Sequence, residues 1–367
     1  MVYRKEREDM LAYIKDRTDD FNAGRFVNEL AAASKNLGIL EAKIDAYQFD
    51  GILIPMLQRK EAVSSMYIEG TQTTIPDVLK NEISPQKSSD KVQQEVGNHI
   101  KTLFYGADYL RSGKKFTHSF IKKIHEYMMV GIIAPGLENT LGKYKLKDNQ
   151  IKNSIGTVVY TPPAASETKK YMDELLSFMN DENDGLNPLI KAAMIHSQFE
   201  SIHPFSDGNG RIGRVLISLY LYKAKVINFP FFYISEAINM DKTVYYNMLT
   251  DSRINSLDEW IKYFLHKVDI QATRLTGYID ALNKLYSKTK VAVKKCVNSP
   301  KYDEIIECLF THPVLNATIL EEQLSVSHGQ AIRYLNALED HRIVISDDRK
   351  RGKSFYFMEL IDLASGA

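Results

Sequence analysis

The segment His203-Pro204-Phe205-Ser206-Asp207-Gly208-Asn209-Gly210-Arg211-Ile212-Gly213-Arg214 sits between two stretches, PLIKAAMIHSQFESI (188–202) and RIGRVLISLYLYKAKV (211–226), that are apolar on nearly every side. A helix hydrophobic all round is normally buried, so the pair predicts two central helices and, between them, a polar loop set into an all-helical core. Gly208 and Gly210 can take backbone angles denied to other residues and let a ligand come close to main-chain N–H groups. A helix starting near Arg211 would aim its unpaired N–H groups and the positive end of its dipole at the same point. Such a junction suits phosphates.

The side chains fit the same chemistry. Arg211 and Arg214 lie three residues apart on one face of a first helical turn, and each offers a fork of donors to phosphate oxygens. Asp207 supplies a hard oxygen ligand of the kind that holds Mg²⁺ beside a nucleotide. His203 is the one residue of the loop with an ordinary pKa near neutrality, which makes it the candidate general base. The reaction class is phosphoryl or nucleotidyl transfer. Gly208, Gly210 and Gly213 also spell GxGxxG, but no strand precedes them as a dinucleotide fold requires, and the HRD and DFG strings of a protein kinase are absent from the chain.

Outward from the loop the pattern stays helical. Residues 24–48 carry Phe26, Leu30, Leu37, Leu40 and Ile44 at helical spacing, and 52–68 continue toward Gly70. The polar, proline-bearing run TQTTIPDVLKNEISPQKSSD (71–90) reads as a connection, with a boundary at residue 88. Helical patterning resumes over 92–110 and 116–129 and again over 257–295. Only KYKLKDNQIKNSIGTVVYTPP (143–163) alternates, with paired β-branched residues and turn material at 153–156, and predicts a β-hairpin. After the CVNSP turn, 301–311, 317–324 and 327–340 read as three short helices, and 343–358 as a hairpin. That order is the winged helix-turn-helix arrangement.

The fold class expected is therefore mainly α: a helical N-terminal domain (1–88), a helical core with a small hairpin (89–297) and a winged-helix domain (298–367). The 367 residues are 44% apolar and 25% charged with a net charge of +1, which gives no bulk field for nucleic acid or membrane. Cys296 and Cys308 stand in no CxxC or Cys/His pattern, so neither a disulfide framework nor a zinc site is expected, and a reducing cytoplasm fits best. No secretory signal and no run of about 18 apolar residues is visible.

The loop HPFSDGNGRIGR resembles the signature of the Fic family, HxFx(D/E)GNGRxxR, at every specified position. The resemblance implies transfer of AMP from ATP to a Ser, Thr or Tyr hydroxyl on a protein, with Mg²⁺ and release of pyrophosphate. His203 would deprotonate the hydroxyl, Asp207 would hold the metal, and the stretch Asp207, Gly208, Asn209, Gly210, Arg211, Ile212, Gly213, Arg214 would bind the triphosphate. The 143–163 hairpin looks like the family's flap, in which Thr157, Val158, Val159 and Tyr160 would pair with target backbone as an added strand. Tyr245 and Tyr246 match a pair that walls the adenine pocket in relatives. In RKEAVSSMYIEGT (59–71), Ser65, Glu69 and Gly70 follow the (S/T)xxxE(G/N) pattern of an inhibitory helix whose Glu would take Arg214 away from the γ-phosphate. A Glu in the last helical turn faces the negative dipole end and wants a cation.

Other readings stay open: a hydrolase that removes AMP from modified proteins, self-modification, a homodimer, and a DNA-binding regulator whose Fic portion senses a ligand. The wing tip RKRGK (349–353) is basic, but Glu339 and Asp340 on the preceding helix oppose DNA.

Overall fold

The computed structural model describes residues 11–366 apart from 18–21, 47–49, 84–89, 153–154, 231, 255, 348 and 350–351. The boundary expected at residue 88 and part of the two turns at 153–156 and 349–353 lie outside the described residues. Fifteen α-helices, three short 3-10 helices and five short strands are described. The N-terminal part comprises α1 (Val27–Asp45), α2 (Asp50–Ile68), α3 (Ile75–Ile83), α4 (Asp90–Arg111) and α5 (His118–Met129). Strands β1 (Ile151–Lys152) and β2 (Val158–Tyr160) follow, then α6 (Thr168–Asn180), α7 (Pro188–Ile202), α8 (Asn209–Lys223), α9 (Ser235–Asn239), α10 (Lys242–Ile254) and the 39-residue α11 (Asp258–Cys296).

Helices α7 and α8 form the centre, and every residue of α7 from Leu189 to Ile202 is buried. Two features of the sequence start α7 cleanly: the Asn187 side chain accepts the Leu189 N–H at 2.9 Å, and Pro188 takes the first helical position. The long α11 packs along α1. Its stripe of Trp260, Phe264, Val268, Ala272, Leu275, Ile279 and Leu282 is buried, and so are Ala33, Leu37 and Leu40 of α1.

The run 71–90 is not a plain connection, because it contains α3. Thr74 Oγ receives the Asp77 N–H at 3.3 Å while Asp77 Oδ2 receives the Thr74 N–H at 3.2 Å, a reciprocal cap, and Pro76 falls in the first turn. The hairpin is shorter than its alternation suggests: Ile151 pairs with Tyr160 and Lys152 with Val158, with a bulge between, and Thr157 lies outside β2.

The C-terminal part holds α12 (Tyr302–Thr311), β3 (Val314–Leu315), α13 (Ala317–Leu324), α14 (His328–Asp340), β4 (Ile345–Ser346), β5 (Phe355–Tyr356) and α15 (Met358–Ser365). The strands make an antiparallel sheet in the order β3-β5-β4. Strand β3 and helix α15 have no counterpart in the sequence reading. This part touches the N-terminal helices directly: α12 and α15 pack on α2, and Lys60 Nζ donates to the Ala364 carbonyl at 2.8 Å. Among the described residues no helix is long and apolar enough to cross a membrane.

Candidate active site

The 203–214 loop begins where α7 stops. His203 caps that helix in the left-handed conformation (φ 48°, ψ 60°), its N–H bonded to the Phe199 carbonyl. Asn209 then closes the loop on itself: its Oδ1 accepts the Phe205 N–H and its Nδ2 donates to the Phe205 carbonyl, both at 2.8 Å. Gly208 stands before α8 at φ 81°, a region an L side chain adopts only at a cost of roughly 1–2 kcal/mol. The helix starts at Asn209, two residues earlier than expected. The first N–H groups of this helix have no acceptor inside it.

Asp207 is aimed from two sides. Its Oδ2 accepts the Ala134 N–H at 3.0 Å, and its carbonyl lies 3.0 Å from His125 Nε2. Because His125 Nδ1 receives the Gly142 N–H at 3.0 Å, Nε2 must carry the proton and donate it. The ring stacks on Phe205, centroids 3.9 Å apart, and burial pushes His125 down to about 4, which keeps this tautomer neutral. His125 was not among the residues singled out in the sequence. Its signal was only a histidine inside an apolar helix.

His203 is also held neutral. Burial, with the cations Lys145 and Arg253 nearby, lowers it to about 4, against a weaker pull from the Glu200 carbonyl and from Glu69. An imidazole in this state is free to accept a proton at neutral pH.

Ser65, Glu69 and Gly70 arrive at the loop on the end of α2. Gly70, at φ 93°, stops the helix with a pair of bonds, Thr71 N–H to the Met66 carbonyl (3.0 Å) and Gly70 N–H to the Tyr67 carbonyl (3.1 Å). This leaves Glu69 at the helix terminus, pointing to Arg214. Arg214 Nη2 lies 2.7 Å from Glu69 Oε1, and its Nε and Nη2 donate to Ser65 Oγ at 3.1 and 2.9 Å. The Arg214 side chain is 1% exposed and that of Glu69 26%. Burial alone would raise the Glu69 carboxyl, but the charges of Arg214 and Arg211 outweigh it and hold it below its ordinary value. Gly210 makes room for this contact, since a Cβ there would stand 2.5 Å from Glu69 Oε1. Arg211 is engaged as well, with its Nε 3.2 Å from Oε1 of Glu95, a partner the sequence reading did not name.

The remaining candidates divide. Val158 and Val159 of β2 are both half-exposed, while the Tyr160 ring is covered by the Arg253 guanidinium, 4.3 Å from its centroid. Tyr245 is 1% exposed, bonded to His196 at 2.9 Å and packed near Trp260. Tyr246 is accessible, and its hydroxyl donates to the Ile68 carbonyl at the end of α2. Among the described residues no cluster of three or more His, Cys, Asp or Glu is placed to hold a metal. A lone Asp207 is nevertheless the share a protein commonly gives to Mg²⁺ when phosphates and water supply the rest, and its Oδ2 is held by the Ala134 N–H.

Comparison with known proteins identifies the family. The Fic/DOC family model matches residues 115–221, and the model of that family's N-terminal region matches residues 27–108, together more than half of the sequence. The chain belongs to the Fic/DOC family. A Fic family protein from Desulfovibrio desulfuricans superposes over 92% of this chain and 97% of its own, with a TM-score of 0.58 at 19% identity. A Fic domain containing signaling protein from Bacteroides thetaiotaomicron covers 69% of this chain and 96% of its own, with a TM-score of 0.51 at 23% identity. These two likenesses establish a shared Fic fold. By sequence the chain is 23% identical over 181 residues to a probable protein adenylyltransferase of Aquifex aeolicus, covering 48% of this chain and 51% of that protein. It is 26% identical over 179 residues to the protein adenylyltransferase and cysteine protease IbpA of Histophilus somni, 47% of this chain and 4% of that one. The chain thus spans about half or less of the length of these curated relatives.

Proposed function

We propose that this Fic protein is an autoinhibited protein adenylyltransferase that moves AMP from ATP to a Ser, Thr or Tyr hydroxyl of a protein. The observation that carries the reading is the arrangement of one loop: a neutral His203, the Asp207 carboxylate, the open N-terminus of α8 and Arg214, with Glu69 bound to that same arginine. The names of the relatives from Aquifex aeolicus and Histophilus somni support the same chemistry.

In this mechanism the triphosphate lies against the N–H groups of Gly208 to Arg211, and Arg211 and Arg214 take its outer phosphates. The target hydroxyl is presented beside β2. Its oxygen attacks the α-phosphorus as His203 takes its proton, and the bond from that phosphorus to the bridging oxygen breaks, releasing pyrophosphate. Asp207 would hold Mg²⁺, which neutralises charge on the phosphates. While Glu69 and Ser65 occupy Arg214, the outermost phosphate has lost its guanidinium and the triphosphate cannot settle in the reactive pose.

A second reading, removal of AMP by hydrolysis, draws on the place of Glu69 directly over Gly210, where its carboxylate could order a water. The C-terminal helices and sheet are read as a winged helix that docks a protein, with the 88 and 297 boundaries kept as part of the proposal. The deciding experiment offers the Glu69→Gly protein ATP labelled on the α- or the γ-phosphate. Label retained on protein only from α-labelled ATP supports AMP transfer. Label only from γ-labelled ATP overturns it.

A further inference from the structure

The turn between α7 and α8 leaves a run of backbone carbonyls outside the hydrogen-bond ladders of both helices, and of these the Phe205 carbonyl also accepts from the Asn209 side chain. One short segment takes them. The Lys145 N–H bonds to the Pro204 carbonyl at 2.8 Å, and its Nζ donates to the Ile202 carbonyl at 3.2 Å. Asn149 Nδ2 donates to the carbonyls of His203 and Phe205, each at 3.1 Å. A bond of 2.8 Å from Lys145 Nζ to Asn149 Oδ1 ties the two side chains together. Four consecutive carbonyls, from Ile202 to Phe205, are therefore capped by residues 145 and 149.

Two further observations show that this is more than a loop seam. His203 is a non-glycine residue held at φ 48°, a backbone state that persists only where its surroundings impose it, and Asn149 grips its carbonyl directly. Lys145 is 2% exposed, and the carboxylate whose charge acts on it, that of Asp148, offsets its burial only in part. A buried cation is a costly way to cap a carbonyl, since a neutral donor would serve. Burial accordingly lowers Lys145 to about 8, and its charge is one of those acting on His203.

The clasp is also the root of the hairpin. Only Gln150 separates Asn149 from β1, and Asp148 Oδ1 accepts the Ala165 N–H at 2.7 Å, closing the far side of the same root. A shift of the hairpin must pass through Asp148 and Asn149 to the carbonyl of His203.

We propose that Lys145 and Asn149 are positioning residues that fix the His203 imidazole in one frame with the hairpin, so that a strand laid on β2 and the base that serves it are set by the same contacts. This rests on the reading of His203 as base and of the hairpin as the docking element for the target. Titratable and charged groups acting on His203 are Lys145, Arg253 and Glu69, and only the first belongs to the clasp.

The test is made in full-length protein carrying Glu69→Gly, by steady-state AMP transfer with Asn149→Ala, Lys145→Met and Lys145→Arg. Each of the first two lowers kcat tenfold or more with the KM for ATP within twofold, because the phosphate loop keeps its own clamp in Asn209. Lys145→Met moves the acid limb of the kcat/KM profile to higher pH, since removing a cation eases protonation of the imidazole. Asn149→Ala leaves that limb in place, and Lys145→Arg restores it. Retained ATP affinity certifies folding in each variant, and Asn149→Ser is used if Asn149→Ala loses it. Unchanged kcat in an active Glu69→Gly parent, or equal losses of kcat and ATP affinity in every variant, overturns the inference alone. A Glu69→Gly parent that transfers AMP equally well after His203→Ala overturns the reading of the base, and the inference with it.

Discussion

Arg214 Nη2 lies 2.7 Å from Glu69 Oε1 and 2.9 Å from Ser65 Oγ, although 145 residues of chain separate the arginine from the glutamate. The guanidinium at the end of the phosphate loop is thus satisfied inside the protein by α2. Removing a carboxylate from a buried pair leaves an uncompensated cation, which makes the freed Arg214 a strong site for an anion such as an outer phosphate.

Ser65→Ala separates the hydroxyl from the carboxylate. The variant loses the bonds from Arg214 Nε and Nη2 to Ser65 Oγ but keeps the ion pair with Glu69. Hydrogen bonds to a charged group contribute about 1.5–3 kcal/mol. Self-labelling from α-labelled ATP is expected to rise about tenfold over the natural sequence and to stay below that of Glu69→Gly. A rate equal to that of the natural sequence would show that Ser65 does not restrain Arg214.

His125→Phe preserves a ring for stacking on Phe205 but strands the Gly142 N–H and the Asp207 carbonyl. Leaving buried partners unmade costs about 1–3 kcal/mol each. Thermal unfolding should move to lower temperature, and ATP titrated with Mg²⁺ should bind more weakly. A variant with unchanged melting and unchanged ATP affinity would contradict the role given to His125 in aiming Asp207.

Stability should fall in mild acid. Burial lowers His99 and His196 to about 3 and His125 and His203 to about 4, so each is neutral when folded but takes a proton at about 6.5 when unfolded. Glu61 and Glu200 work the other way: burial raises both to about 7, so between pH 7 and 4.5 it is the folded state that holds their protons. Among these six groups the four histidines outnumber the two carboxyls, so the unfolded state takes up more of their protons between pH 6.5 and 4.5 and stability falls as pH falls through that range. Urea midpoints at pH 7, 6 and 5 check this. A midpoint that is constant or rises toward pH 5 would be contrary to it.

Much of this architecture is legible in the residues. The two apolar stretches around 203–214 do form the central helices, because a segment with no polar face has nowhere to go but the interior. Gly70 marks the end of α2 because only a residue at ease with positive φ completes that pair of terminal bonds. Helix α3 was also written in the chain, in Thr74-x-x-Asp77 with Pro76, but polar neighbours masked its short apolar face. Lys145, Asn149, His125 and Glu95 were not legible. Each is a polar residue in polar or unremarkable company, and its burial comes from segments far away in sequence. Tyr245 shows the converse: a site-like tyrosine pair gives no sign that one of its rings bonds to His196 in the core.

The central claim is that Glu69 holds back a transferase whose base is His203. Its most direct test measures incorporation of label from α-labelled ATP with Mg²⁺ in the natural sequence, in Glu69→Gly and in Glu69→Gly with His203→Ala, side by side. Incorporation should be low in the first, rise at least tenfold in the second and vanish in the third. Equal incorporation in all three, or a rise that survives His203→Ala, would contradict it.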